Sequence, residues 1–252
     1  MNTSVQSSRR SATAAERIIV ALDVQTSGEA RDIVSELKGS VGAFKIGLQL
    51  FTAAGPAFVR ELSDAGAKVF LDLKFHDIPN TVAKAGIEAA RLGVWMFNVH
   101  ALGGREMMSR AAAEVAEFCD SNDVERPRII AVTVLTSSNA NTLRETGIEG
   151  AVEQQVLNLA KLAAECNLDG VVASPLEAAG VRSSIDDPDF LIVTPGVRPE
   201  FATNDDQKRV TTPAAATSNG ADYLVIGRPI LRAGDRAEAI GKICGEIEAA
   251  LH

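Results

Sequence analysis

Residues 70–81 read FLDLKFHDIPNT, and this stretch decides how the rest of the chain is interpreted. An apolar run leads into Asp72 and Lys74, which stand two positions apart, and Asp77 follows three positions later. Because side chains two apart on a β-strand point to the same face, Asp72 and Lys74 should project together from the carboxyl end of a mostly buried strand. Charges in such a place are costly unless they are paired. The stretch therefore predicts a strand that ends in a chemically active group of charges.

Similar apolar runs occur along the whole chain and alternate with segments of helical spacing. Several are continuously apolar, which is typical of parallel strands covered on both faces. The predicted strands are 18–23, 43–47, 68–73, 95–99, 129–135, 170–173, 190–194 and 223–226. The predicted helical segments are 28–37, 56–64, 81–92, 105–118, 153–165 and 237–251, with a short segment at 175–181.

A βα unit repeated eight times within about 235 residues is the pattern of a (β/α)8 TIM barrel. A doubly wound open sheet is the alternative, but the chain lacks a GxGxxG motif and its units are regular, which favours closure. We predict a single α/β barrel domain over residues 17–252, preceded by a disordered tail over residues 1–16. Pro56 fits a first helical turn, and Asn80 or Thr81 could cap the next helix.

Composition narrows the class of protein. The chain has 252 residues, of which 46% are hydrophobic and 23% charged, and its formal net charge is −8. An acidic protein is poorly suited to general nucleic-acid binding, and the sequence has no apolar run long enough for a membrane span. Its three cysteines form no CxxC pair, and no apolar segment follows the Arg9-Arg10 pair. These features predict a cytoplasmic protein with reduced cysteines.

Polar residues stand where the predicted strands end, and the functional sites of such barrels gather at that end. These residues are Asp23, Lys45, Asp72, Lys74, His100, Thr136, Ser174, Pro195, Gly196, Gly227 and Arg228. With Asp77, the charges of Lys45, Asp72 and Lys74 would form an alternating array in which each charge offsets the desolvation of its neighbours. Such an array would hold one lysine as a preorganised acid or electrostatic clamp.

The last two predicted strands are followed by features that suit an anionic ligand. Arg198 opens a long polar segment that contains Gln207 and runs to Thr212, and polar loops of this length often act as lids or binding loops. Gly227 allows close approach of the backbone, and Arg228 can bond to phosphate oxygens. Loops seven and eight of such barrels often bind phosphate, so we predict a phosphorylated substrate.

Two interpretations stay open at the level of residues alone. His76 and His100 could bind a metal together with Asp72 and Asp77, but Lys45 and Lys74 would place two positive charges beside it, which favours ordinary structural hydrogen bonds for both histidines. The hydroxyl of Thr136 could bind polar groups of a ring, or it could simply begin a loop over residues 137–150. No nucleophilic dyad and no cofactor fingerprint appears in the sequence.

Motifs spread over residues 17–248 resemble the orotidine 5′-phosphate decarboxylase family in its bacterial form. They are ALD at 21–23, FKIG at 44–47, LDLKFHDIPNT at 71–81, TVLTS at 133–137, TPGVRP at 194–199, DQKR at 206–209 and YLVIGRPI at 223–230. A wider superfamily that includes magnesium-dependent hexulose-phosphate synthases shares the DxKxxD core, but typically carries an acidic residue where Lys45 stands. Lys45, the TPGVRP and DQKR motifs and GRPI together favour the decarboxylase.

The resemblance implies the decarboxylation of orotidine 5′-phosphate to UMP and CO2, the last step of de novo UMP synthesis. It also implies that no metal or organic cofactor is needed, and that the enzyme is a homodimer with active sites at the subunit interface. In the family, the second aspartate of the motif and the threonine after it come from the partner subunit. Those positions are Asp77 and Thr81.

The resemblance further implies a role for each site residue. Lys74 would stabilise and protonate C6 of the pyrimidine, Asp72 would lie by the substrate carboxylate, and Lys45 and Asp77 would complete the array. The remaining assignments are Asp23 and Lys45 to the ribose, Thr136 to the pyrimidine, and Arg198, Gln207, Gly227 and Arg228 to the phosphate. The alternatives are a magnesium-dependent sugar-phosphate aldolase or decarboxylase, and a nucleotide-binding barrel without activity.

Overall fold

Eight parallel strands close into a barrel in the computed structural model, which describes residues 12–202 and 211–251. The strand order follows the chain, and β1 pairs with β8 to close the ring, with Ile18 opposite Leu224. This confirms the predicted (β/α)8 barrel. The strands are β1 Ile18–Ala21, β2 Ala43–Gly47, β3 Val69–Phe75, β4 Met96–His100, β5 Arg128–Val132, β6 Gly170–Val172, β7 Leu191–Pro195 and β8 Tyr223–Ile226.

Helices follow the strands and cover the outside of the barrel. They are α1 Ser27–Leu37, α2 Leu48–Asp64, α3 Pro79–Arg91, α4 Gly104–Asn122, α5 Ala140–Glu145, α6 Val152–Glu165, α7 Ala178–Ser184, α8 Pro213–Ser218, α9 Arg228–Leu231 and α10 Arg236–Leu251. Short 3-10 helices occupy Ala15–Arg17 and Ala101–Gly103. Within the described ranges, no helix combines the length and the apolar character needed to cross a membrane.

The strands are continuously apolar because both of their faces are buried. One face of each strand contributes to a small apolar group inside the barrel, which includes Ile19, Phe70 and Met96. The alternate residues, such as Val20 and Phe97, pack with the helices in a larger group outside it. The barrel interior is thus filled with side chains up to its carboxyl end, where the polar residues begin.

Two strand boundaries differ from the prediction in ways that matter for the site. Strand β3 continues to Phe75, two residues past the predicted end, because the chain pairs with β4 again after an irregular register. Strand β5 ends at Val132, three residues before the predicted end. Val134 and Leu135 are apolar although they are not paired in the sheet, since they line the mouth of the barrel.

The helix starts are only partly as predicted. The backbone kinks at Gly55 inside α2, and Pro56 begins the helical stretch after the kink, as expected. Helix α3 begins at Pro79 and its N-cap is Ile78, so Asn80 and Thr81 lie inside the first turn and do not cap it. The segment 137–150, expected as a loop, contains α5, whose first turn is capped by the side chain of Asn139.

The predicted boundary of the N-terminal tail at residue 17 is too late. Ala14 is buried in the outer apolar group, and the side chain of Glu16 accepts hydrogen bonds from Thr13. A side chain on Gly42 would collide with the carbonyl oxygen of Glu16, so this segment packs directly on the barrel. The rest of the predicted tail, residues 1–11, lies outside the described residues.

Two aspartates hold the amino-terminal end of the barrel together in the same way. Asp169, just before β6, accepts a hydrogen bond from a backbone N–H of β5 and pairs with Arg126. Asp222, just before β8, accepts one from a backbone N–H of β7 and pairs with Arg182. The charged side chains at the amino-terminal end therefore join neighbouring strands. Those at the carboxyl end line the cavity described below.

Helices α3 and α4 pack closely over β4, and Gly86 makes this possible. A methyl group at Gly86 would lie 2.8 Å from Cγ2 of Val115 and 3.0 Å from Cζ of Phe97. We expect Gly86→Ala to lower the free energy of unfolding by about 1–2 kcal/mol, because overpacking outweighs the better helix propensity of alanine. Urea unfolding at a fixed protein concentration measures the change.

Gly245→Ala is the matched control, since Gly245 is also inside a helix but has no atom near its added methyl group. It should raise the free energy of unfolding by about 0.5–1 kcal/mol. Equal stabilisation by both substitutions would contradict the close packing at Gly86.

Candidate active site

A cavity opens at the carboxyl end of the strands, and its two sides differ in character. Charged side chains on or just after β1, β2 and β3 occupy one side. Residues on or just after β5 to β8 occupy the other, and they are mostly apolar but include Arg198 and Arg228. The charged residues of the cavity are Asp23, Lys45, Asp72, Lys74, Arg198 and Arg228. The apolar residues include Val132, Val134, Val172, Val193 and Val225.

Four charges of alternating sign follow one another around this cavity. The ammonium nitrogen of Lys74 lies 2.6 Å from Oδ1 of Asp72, and that of Lys45 lies 3.3 Å from Oδ2 of the same carboxylate. Lys45 also lies 3.5 Å from Oδ1 of Asp23. The order in space is therefore Asp23, Lys45, Asp72, Lys74, and each inner charge has a neighbour of opposite sign on both sides.

Asp72 is the charge at the centre of the array, and only 15% of its side-chain surface is exposed. Burial by itself raises the pKa of Asp72, but the ammonium groups of Lys45 and Lys74 and the hydrogen bonds from Lys74 and Asn98 outweigh it. The pKa of this carboxyl group therefore lies below its usual range. Asp72 stays ionised at neutral pH and can hold both lysines in place.

Asp77 does not belong to the array of its own chain, contrary to the expectation from the residues alone. It is exposed on the loop between β3 and α3, where its Oδ1 accepts a hydrogen bond from the backbone N–H of Ile78 at 2.7 Å. Thr81 is exposed in the first turn of α3, and neither residue lines the cavity. The fourth charge of the array is Asp23, which contacts Lys45.

Lys74 has an unusual backbone conformation, with a φ of 54°. The pairing of β3 with β4 shifts register between Leu71 and Phe75, and Lys74 lies in this irregular stretch. A left-handed conformation at a residue other than glycine costs about 1–3 kcal/mol and is often found at functional sites. The contact between Asp72 and Lys74 was expected from regular strand geometry, but it is made by a strand that bulges.

Asn98 is a site residue that the sequence reasoning missed. Its side-chain oxygen accepts a hydrogen bond from the backbone N–H of Lys74 at 2.8 Å, and its nitrogen donates to Oδ1 of Asp72 at 2.7 Å. The signal in the sequence was a single amide in the apolar run WMFNVH, at a position that proves to be buried.

Three of the predicted phosphate residues, Arg198, Gly227 and Arg228, line the same cavity as the charged array. Gly227 follows β8, and a side chain there would lie 3.3 Å from Cβ of Ala21, so the backbone packs closely against β1. Arg228 begins α9, and the buried Arg198 comes from the segment after β7. Gln207, the fourth predicted phosphate residue, lies outside the described residues.

Thr136 lies in the turn after β5, where it is exposed and lines the rim of the cavity. Its position is close to the apolar side formed by Val132 and Val134. Its hydroxyl is a polar group beside these apolar side chains.

The two internal histidines contact each other. The rings of His76 and His100 stack with their centroids 5.4 Å apart, and burial, followed by the charges of His76 and Lys74, lowers the pKa of His100. Both carboxylate oxygens of Asp72 face ammonium groups. Over residues 12–202 and 211–251, no group of three or more potential ligands is arranged to hold a metal ion.

Comparison with known proteins assigns the family. A family model described as "Orotidine 5'-phosphate decarboxylase / HUMPS family" matches residues 16–243. The chain belongs to this family. Its TIM barrel and the charged array at the carboxyl end of the strands agree with the resemblance drawn from the motifs.

Individual members of the family are similar over nearly the whole chain. A protein of Pelobacter propionicus named orotidine 5'-phosphate decarboxylase is 56% identical over 94% of this chain and 97% of its own length. One of Syntrophotalea carbinolica with the same name is 53% identical, with the same coverage. The crystal structure of orotidine 5'-phosphate decarboxylase from Lactobacillus acidophilus is 39% identical with a TM-score of 0.80, covering 91% of this chain and 98% of that one.

The ion pairs of Asp72 predict how its pKa responds to the loss of a neighbouring lysine. Replacing Lys45 by Met removes one of the two cations that favour ionised Asp72, so the pKa of Asp72 should rise. Carbon-13 NMR of the carboxyl groups in the ligand-free protein measures this pKa. Lys84→Met is the control, because Lys84 is an exposed lysine paired with Glu114 on the outside. An unchanged pKa in the Lys45 variant would contradict the coupling.

Proposed function

We propose that the protein decarboxylates orotidine 5′-phosphate to UMP and CO2, with Lys74 as the proton donor. The reaction is that of a carboxy-lyase and is the last step of de novo UMP biosynthesis. The family includes this activity, and the names of the close relatives favour this substrate over the magnesium-dependent aldolase alternative. The observation that carries the mechanism is the Lys74 ammonium held 2.6 Å from a buried, ionised Asp72.

Lys74 acts at C6 of the pyrimidine, where negative charge develops during the reaction. Loss of CO2 breaks the bond between C6 of the pyrimidine and the carboxylate carbon, and the electron pair of that bond stays on C6. The ammonium of Lys74 stabilises this pair and then transfers a proton from Nζ to C6, which forms the new C–H bond. The neutral amine regains its proton from water. An ammonium fixed beside C6 before the reaction stabilises the transition state more than the ground state.

Asp72 orients Lys74 and lies near the substrate carboxylate. As CO2 leaves, negative charge moves away from Asp72 and toward Lys74, so the same pair of charges favours the product side of the step. Lys45 and Asp23 bind the ribose hydroxyls, and Lys45 also balances the second oxygen of Asp72.

The phosphate end of the cavity supplies binding energy at a distance from C6. Arg198, Arg228 and the backbone at Gly227 bind the phosphate, because guanidinium groups and close backbone N–H groups suit its oxygens. Gln207 as a further phosphate ligand stays a prediction. Thr136 contacts the pyrimidine. Binding of the remote phosphate then holds C6 against Lys74, which is how an enzyme without a cofactor can use binding to accelerate chemistry.

The active form is a homodimer in which each subunit contributes to its neighbour's site. Asp77 and Thr81 are exposed and do not line their own cavity, and Ile78 beside them is 66% exposed. Leu102, in the 3-10 helix after β4, is 46% exposed, and the stack of His76 on His100 joins this segment to the loop after β3. Exposed apolar residues next to polar functional groups are typical of an interface. The partner's cavity is then the place where Asp77 and Thr81 act.

We also place the protein in the cytoplasm. Cys119, Cys166 and Cys244 are free thiols, as expected in a reducing compartment.

Turnover of orotidine 5′-phosphate in the presence of EDTA tests the reaction, and Lys74→Ala tests the role of Lys74. The substitution should lower kcat by about 1,000-fold or more, because it removes the group that stabilises and protonates C6. UMP affinity, measured by calorimetry, should change little. Lys38→Ala, which removes an exposed lysine between α1 and β2 at the amino-terminal end of the barrel, should keep wild-type kcat.

Three results would count against the proposal. Activity that EDTA abolishes and magnesium restores would favour the metal-dependent alternative. Wild-type kcat in the Lys74 variant would exclude Lys74 as the donor, and UMP binding without any turnover in the wild type would favour a binding protein.

Mixing the inactive variants Lys74→Ala and Asp77→Ala tests the shared site. After subunit exchange, each hybrid dimer holds one site with an intact Lys74 and an intact Asp77, so about a quarter of wild-type activity should return. Mixing each variant with itself is the control. If native mass spectrometry shows hybrid dimers but no activity returns, Asp77 does not act in the partner's site.

A further inference from the structure

The interior of β4 carries an amide where the neighbouring inward positions of the barrel are apolar. Asn98 is 1% exposed, and it follows Met96, which belongs to the apolar group inside the barrel. On β5, the residue opposite Asn98 in the sheet is the apolar Ile130. A buried amide without partners is costly, so the hydrogen bonds of Asn98 indicate why it is there.

Both ends of the Asn98 amide contact the β3 segment that carries the reaction. The nitrogen donates to Oδ1 of Asp72 at 2.7 Å, and the oxygen accepts from the backbone N–H of Lys74 at 2.8 Å. The same Oδ1 of Asp72 accepts from the ammonium of Lys74 at 2.6 Å. The three hydrogen bonds form a closed ring, which fixes Lys74 at both its backbone and its side-chain end.

The irregular register of β3 explains why a side chain is needed here. Lys74 has a positive φ, and the regular pairing of β3 with β4 is interrupted around it. Its backbone N–H would lack a partner in the strand ladder, and buried N–H groups are almost always paired. The oxygen of Asn98 takes the place of the missing backbone acceptor.

The chemistry of the two contacts selects an amide. One partner is a carboxylate, which needs a donor, and the other is an N–H, which needs an acceptor. Aspartate would place a second negative charge against Asp72, and a hydrocarbon side chain would satisfy neither group. Asparagine meets both requirements with no net charge.

We propose that Asn98 is a positioning residue, which sets the direction of the Lys74 ammonium and of the Asp72 carboxylate for proton transfer to C6. This rests on the proposed function of Lys74. Asn98 acts through these two residues, and it is not itself among the residues that line the cavity.

The first variant is Asn98→Leu, which is similar in size and removes both hydrogen bonds. Misplacing a catalytic group by about 1 Å can cost about 100-fold in rate, and we expect a fall in kcat of that order. KM and the dissociation constant of UMP should stay within about threefold of the wild type, because the loss concerns the transition state.

The matched control is Thr133→Val. Thr133 is equally buried on the adjacent part of the barrel, and its hydroxyl donates to the backbone oxygen of Val172 at 2.9 Å, away from the array. It should keep kcat within about twofold of the wild type. Equal losses of kcat in the two variants would show a general packing effect and would overturn the proposal.

The second variant is Asn98→Asp, which keeps the shape. When protonated, the introduced carboxyl group offers a donor and an acceptor as the amide does, whereas its ionised form repels Asp72. The charged groups that face it are Asp72 and Lys74 from β3, with Lys45 of β2 behind Asp72 and His100 two residues along β4. We therefore expect kcat relative to the wild type, compared at each pH, to rise as the pH is lowered.

The outcomes separate this proposal from the proposed function. If Lys74→Ala is inactive but Asn98→Leu retains wild-type kcat, the positioning role is wrong while the role of Lys74 stands. If Lys74→Ala is active, the proposed donor is wrong and the proposal falls with it. Should Asn98→Leu fail to fold, Asn98→Asp decides alone: a rise in relative kcat at low pH supports the proposal, and a ratio independent of pH overturns it.

Discussion

The site depends on the cost of burying the carboxylate of Asp72. A charge in this position is tolerated only because Lys45 and Lys74 lie on either side of it and Asn98 donates to it. Each of these groups comes from a different part of the barrel, so the requirement to pair one charge fixes the relative positions of β2, β3 and β4. The rest of the cavity follows from that constraint, since the remaining strands can stay apolar.

The charged residues at the two ends of the barrel have different roles: those at one end stabilise the fold, and those at the other form the site. At the amino-terminal end, Asp169 and Asp222 accept backbone N–H groups and pair with arginines, so their charges join strands. At the carboxyl end, the charges pair with one another and face a cavity. The same types of residue therefore stabilise the fold at one end and form the reactive group at the other, and the direction of the strands decides which role each has.

Much of this could be predicted from the sequence, because the relevant signals are local. Continuous apolar runs separated by segments of helical spacing predict the barrel. Polar residues at the ends of those runs predict that Lys45, Asp72 and Lys74 are neighbours.

The features that could not be predicted depend on contacts between strands. The bulge at Lys74 arises from pairing with β4, and Asn98 is an ordinary polar residue until its neighbours are known. The spacing of Asp77 predicts it beside the other charges, but spacing does not reveal that its side chain lies outside the cavity. The predicted strand β5 is longer than the observed one, because apolar residues that line a cavity resemble residues that continue a strand.

The alternating charges also have a consequence for protein engineering. Replacing a buried ion-pair network by well-packed apolar side chains often stabilises a protein, because the desolvation of the charges is avoided. A version of this barrel in which the valine-lined side of the cavity is extended across β1, β2 and β3 should therefore be an inert but more heat-resistant scaffold. The difference in melting temperature between that scaffold and the natural chain would measure how much thermal stability the barrel gives up in order to keep its mouth reactive.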